Sequence, residues 1–122
     1  MVILITGVSS GFGRAMAVRL AKDGHKVYGT VRSDVAPLDG VTYLKADVQD
    51  EEAIRSAFGA LISAEGRLDV FISNAGMGIG GPLEFSPVAD VQKQMDVNFM
   101  GMVRWLSHVV PVMRQQGNGR CP

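Results

Sequence analysis

Val2–Thr6 is a short, β-branched apolar run halted by Gly7, and an amphipathic segment opens shortly after it at Phe12. A strand that short and that evenly apolar is covered on both faces, which calls for a parallel sheet between helices. The same alternation recurs down the chain. Phe12 to Asp23 reads as a helical stretch with Ala15, Val18 and Leu20 among its apolar positions, and stops at Gly24. Lys26–Arg32 reads as a second strand, and Ser33 to Gly40, with Pro37 and Asp39-Gly40, as a loop too short for a full helix. Val41–Val48 is a third strand. Asp50 is placed to cap a helix whose first turn holds Glu51 and Glu52, whose stripe is Ile54, Ala57, Phe58, Leu61 and Ile62, and whose end is near Gly66. Leu68–Ala75 is a fourth strand, followed by a mobile glycine loop to Gly81-Pro82. Ser86 as N-cap and Pro87 as first helical residue open the longest helix, to about Gln116, which Pro111 is expected to bend or interrupt. Strands alternating with helices at this spacing predict βαβ units with right-handed crossovers.

Composition narrows the partners. Twelve Lys and Arg against twelve Asp and Glu leave the 122 residues without formal net charge, and no basic cluster stands out. That argues against nucleic acid. With 47% hydrophobic and 20% charged residues, residues 1–122 read as one folded domain. The one cysteine, Cys121, and the separated His25 and His108 offer no metal site. No signal-like start and no apolar run near the roughly 20 residues of a membrane span is present, so the expected setting is soluble and cytoplasmic.

The chemistry sits in Thr6-Gly7-Val8-Ser9-Ser10-Gly11-Phe12-Gly13, between the first strand and the first helix. Glycines there let backbone approach a ligand closely, and the helix start offers unpaired N–H groups to a pyrophosphate. Two other patterns compete. Gly7-Val8-Ser9-Ser10-Gly11 fits the G-x-S-x-G elbow of hydrolases, but that elbow caps a central strand with others before it in the chain, whereas here it follows the first strand, and its acid and base would have to be Asp69 or Asp96 with His108. Gly76-Met77-Gly78-Ile79-Gly80-Gly81 matches G-x-G-x-x-G yet runs into Pro82 instead of a helix.

Taken with Asp47-Val48, Ser73-Asn74-Ala75-Gly76 and Asp96-Val97-Asn98, the first glycine motif resembles the short-chain dehydrogenase/reductase family from Val2 to about Arg120. The resemblance implies a Rossmann-like parallel sheet of strand order 3-2-1-4, helices on both faces, truncated before a fifth strand. It implies that Gly7, Ser9, Ser10, Gly11, Phe12 and Gly13 line a dinucleotide's pyrophosphate and ribose. Asp47 and the Val48 backbone would hold adenine, and Asn74, Ala75 and Gly76 would back the cofactor. Asn98 would contribute to the proton relay through a water on its carbonyl.

An NAD site places a carboxylate at the end of the second strand. Here Arg32 and Ser33 stand there and favour the 2′-phosphate of NADP(H) over NAD, with Asp34 nearby as a counter-argument. The family's catalytic serine and Tyr-x-x-x-Lys are missing: Tyr28 is followed four residues on by Arg32, and Tyr43 by Asp47. The expectation is the NADP(H)-binding half of an oxidoreductase interconverting carbonyls and secondary alcohols, inactive alone. The alternative is a non-catalytic, self-associating module with a vestigial nucleotide site. Self-association is expected through an uncovered fourth-strand edge and the long C-terminal helix, where Val91, Met95, Phe99, Met102, Leu106 and Val109 form a stripe.

Overall fold

The computed structural model describes all residues from Met1 to Pro122. Its elements are β1 (Val2–Ile5), α1 (Gly11–Lys22), β2 (Lys26–Val31), β3 (Val41–Lys45), α2 (Glu51–Glu65), β4 (Val70–Ile72), α3 (Val88–Met95) and α4 (Gly101–Gln116). A 3₁₀ turn, Leu83–Phe85, precedes α3, and a π turn, Asp96–Met100, joins α3 to α4. The four strands form one parallel sheet ordered β3-β2-β1-β4, as expected.

Alternation along β1 divides the core. Val2 and Leu4 join Ile54, Phe58, Leu61, Phe71, Trp105 and Val109 on the face covered by α2 and α4. Ile3 and Ile5 join Ala17, Val27 and Val31 on the face covered by α1. Because both faces are dry, every β1 residue is buried. Local signals held for α2: the Asp50 side chain accepts from the Ala53 N–H, and Gly66 ends the helix at φ 70°.

Three expectations are corrected. Pro87, not Ser86, is the N-cap of α3, since Pro87 keeps an extended ψ of 137° and the Ser86 hydroxyl turns back to the Pro82 carbonyl. Pro111 leaves α4 unbroken to Gln116: Ser107, whose carbonyl loses its partner, and Pro111 itself both face water, which solvates the freed group. The outer edge of β4 is not bare. Phe71 N–H donates to the Arg120 carbonyl and Arg120 N–H to the Asp69 carbonyl, both at 2.9 Å, in an isolated parallel bridge. The next donor position of that ladder falls at Pro122, which has no N–H to give.

The β1–β4 seam carries a partly buried carboxylate. The Asp69 side chain, 11% exposed, pairs with Arg67 and accepts from Val2 N–H at 2.7 Å. Arg67 first, then the Val2 amide, holds its pKa below the ordinary 3.8. A lowered folded pKa stabilises the fold above the unfolded value and loses that stabilisation as pH falls through the folded one. The stability gap between wild type and Asp69→Asn in urea titrations is therefore expected to stay constant above about pH 5 and to shrink below about pH 4. A gap unchanged down to about pH 2.5 would contradict this pairing.

Candidate functional site

Where the strands end, β1, β2, β3 and β4 pass into loops that together enclose a crevice of about 550 Å³, within the ordinary range of ligand pockets. Gly7, Ser9 and Ser10 form one wall. Arg32 and Ser33 come from the end of β2, Asp47 and Val48 from the turn after β3, and Asn74, Ala75 and Gly76 from the segment after β4. Both of the latter motifs lie beyond strands shorter than the sequence implies, because β3 ends at Lys45 and β4 at Ile72.

The glycine loop is held by tight packing. A Cβ on Gly13 would lie 2.0 Å from the Gly7 carbonyl oxygen and 2.4 Å from Asn74 Nδ2. That Asn74 amide donates to the Gly7 carbonyl at 2.8 Å and the Thr6 carbonyl at 3.1 Å. The buried Thr6 Oγ1 accepts from the N–H groups of Asn74 and Ala75 at 2.9 and 3.0 Å. Thr30 Oγ1 accepts from Gly7 N–H. Helix α1 thus starts at a point fixed against the end of β4. Gly11, at φ 60°, meets nothing; its glycine serves the turn. Gly11, Phe12 and Gly13 do not line the crevice, and the Phe12 side chain is 85% exposed.

Asn98 sits in the π turn and pairs with a single residue across the crevice mouth: Oδ1 accepts from Met77 N–H and Nδ2 donates to the Met77 carbonyl, both at 2.7 Å. Gln94 Oε1 accepts from Ile79 N–H at 3.1 Å. The first half of the loop expected to be mobile is therefore tied down by two side-chain amides. Lys93, Gln49 and Met77 also line the crevice and were missed. No local pattern marks Lys93, since only the placement of α3 turns it inward.

Behind the Asp47–Gln49 turn, Asp96 holds Arg104 and Gln49 on its two oxygens, which keep its carboxyl below the usual carboxylate range. Neither tyrosine is in the crevice. Tyr28 donates to Glu65 at 2.6 Å and its pKa is pushed up to about 12, first by that bond and then by burial; Tyr43 donates to the Ala36 carbonyl. The hydrolase alternative finds no base: His108 packs against Phe58, and no histidine lines the crevice beside Ser9.

These residues fit an anionic dinucleotide. The first amides of α1 have no intrahelical acceptor, and Ser10, at the N-cap, makes no side-chain cap bond that would compete for them. The crevice also carries two cations, Arg32 and Lys93, against one carboxylate, Asp47. No helix is long and apolar enough to cross a membrane.

Residues 1–121 match the family model described as short chain dehydrogenase. The chain is 45% identical over 119 residues to 3-ketodihydrosphingosine reductase of Bacteroides thetaiotaomicron, covering 98% of this chain and 44% of that protein. It is 38% identical over 135 residues to human 17-beta-hydroxysteroid dehydrogenase type 1, covering 98% and 40%. Among solved structures, a short-chain dehydrogenase from Streptomyces avermitilis superposes with TM-score 0.90 at 31% identity, over 98% of this chain and 47% of that one. Levodione reductase superposes with TM-score 0.89 at 36% identity, over 98% and 52%. The chain spans less than half the length of these two curated relatives. This chain belongs to the short-chain dehydrogenase family of oxidoreductases.

Proposed function

We propose that this chain is the nucleotide-holding part of an NADP(H)-dependent oxidoreductase that interconverts a carbonyl and a secondary alcohol. The observation that carries the reading is the meeting of Gly7, Ser9 and Ser10 with Arg32 and Ser33 in one crevice at the carboxyl ends of the strands. The chemistry that a bound nicotinamide would supply there is hydride transfer. The chain's residues bind and orient: the α1 amides and both serines take the pyrophosphate, Asp47 and the Val48 backbone take adenine, and Asn74, Ala75 and Gly76 back the cofactor. Asn98 holds Met77 through its side-chain amide, and its backbone carbonyl would carry a relay water.

NADP(H) is favoured over NAD because Arg32 and Ser33 line the crevice, while the neighbouring Asp34 carboxylate leans to Lys45 at 3.6 Å and does not. Arg32→Ala is expected to weaken NADPH binding roughly 10–100-fold, the worth of one charge-assisted contact, and to leave NADH nearly unchanged. Fluorescence titration reads both. Equal losses for the two nucleotides would reject the 2′-phosphate assignment, and no NADPH binding by wild type at millimolar levels would reject the site.

Without a Tyr-x-x-x-Lys among these residues, turnover by them alone is expected to be lower by at least about 10²–10⁴. The relatives' names, a ketodihydrosphingosine reductase and a hydroxysteroid dehydrogenase, support an apolar, lipid-like ketone or alcohol as substrate. Exposed Leu83 and Phe85, in the segment joining β4 to α3, agree with an apolar rim.

One observation favours self-association as the second reading. Met95, Phe99, Val103 and Val110 are exposed on one side of the α3–α4 rod. A dimer in sedimentation, combined with no response to NADPH, would favour the non-catalytic module.

A further inference from the structure

Arg104 lies outside the crevice lining, yet its guanidinium touches the backbone of the crevice wall. Nη1 donates to the Val48 carbonyl at 3.1 Å and to the Asp96 carbonyl at 3.3 Å, and Nη2 donates to Asp96 Oδ1 at 2.5 Å. The second Asp96 oxygen accepts from Gln49 Nε2 at 2.9 Å, and Gln49 N–H donates to Asp47 Oδ1 at 3.0 Å. Residues 47 to 49 are thereby tied to one guanidinium–carboxylate pair. Gly101 closes the same turn from the helix side: a Cβ there would lie 2.8 Å from Val48 Cβ.

The pair exists because of the π turn. In a regular helix, residues eight apart are about 80° out of phase, while residues seven apart nearly align. The π turn at Asp96–Met100 inserts one residue, so Asp96 and Arg104 take the stations that positions seven apart otherwise hold.

We propose that Arg104 is a positioning residue for the adenosine half of the dinucleotide, setting the Asp47–Val48 turn through the Val48 carbonyl, Asp96 and Gln49. This rests on the dinucleotide reading of the crevice. The task needs a planar fork, because separate donors must meet a carbonyl and a carboxylate at once; a lysine ammonium meets them less well.

The test uses the whole chain and two half-ligands, 2′,5′-ADP for the adenosine half and reduced nicotinamide mononucleotide for the other. Arg104→Met is expected to weaken 2′,5′-ADP about tenfold and Arg104→Lys roughly threefold, with the mononucleotide unchanged for both. A general loosening of the fold would weaken both halves alike. Equal losses for the two halves, or no loss for 2′,5′-ADP, would overturn the assignment while leaving the dinucleotide site standing. Wild type that binds neither NADPH nor 2′,5′-ADP would overturn both. Should Arg104→Met fail to fold by circular dichroism, Asp96→Asn decides: weaker 2′,5′-ADP alone supports the role, and unchanged affinity removes it.

Discussion

Gly13→Ala is expected to lower the thermal midpoint by roughly 10–15 °C and to abolish NADPH binding, the effect of about 3 kcal/mol of overpacking in a domain of this size. The added methyl would sit 2.0 Å from the Gly7 carbonyl oxygen and 2.4 Å from Asn74 Nδ2, and neither is the free end of a flexible side chain. Gly7 cannot retreat, because its own φ is 74° and the Ala75 backbone lies behind it, 2.9 Å from where a Cβ would stand. Helix α1 must move as a whole, which displaces the Gly7–Ser10 loop that walls the crevice. Gly11→Ala, in the same motif, meets open space and carries only the strain of a left-handed alanine, about 1–2 kcal/mol. Circular dichroism melts of the two variants make the comparison; equal midpoints would refute the packing argument.

Thr6→Val is expected to cost about 2–4 kcal/mol, although valine nearly matches threonine in shape. Thr6 is buried, and its one hydroxyl oxygen receives the N–H groups of Asn74 and Ala75. Valine leaves both donors without an acceptor at the junction of β1 and β4, so the crevice floor at Asn74–Gly76 loosens with the fold. Thr6→Ser keeps the acceptor and loses one methyl, for about 1 kcal/mol. Urea midpoints give the two costs, and amide exchange at Asn74 and Ala75 locates them. A valine variant as stable as the serine one would mean that these amides find other partners.

The two variants mark how far the sequence could be read. The glycine motif declared a turn and a helix start, but not that Gly13 serves packing and Gly11 serves φ; that difference depends on Asn74, far along the chain. Asp50 with Glu51 and Glu52, and Gly66 at the other end, were legible because capping is settled within one turn. Pro111 misled, since its cost depends on whether the freed carbonyl faces water or core. The β4 edge misled for a similar reason: Arg120 covers part of it through two backbone bonds that no side-chain pattern records.

The sequence by itself determined the alternation of strands and helices, the parallel sheet and the glycine-rich turn at the first crossover, all written in short-range periodicity and in residues with unusual backbone freedom. Tertiary structure alone decided which residues share the crevice. Lys93 is turned inward by the placement of α3, Asn98 closes on Met77, and Arg104 reaches Asp96 because a π turn shifts the helix by one residue. Such contacts join residues whose separation matches no helical or strand period. They arise only when separate elements are packed in register, where burial and hydrogen-bond satisfaction select one arrangement.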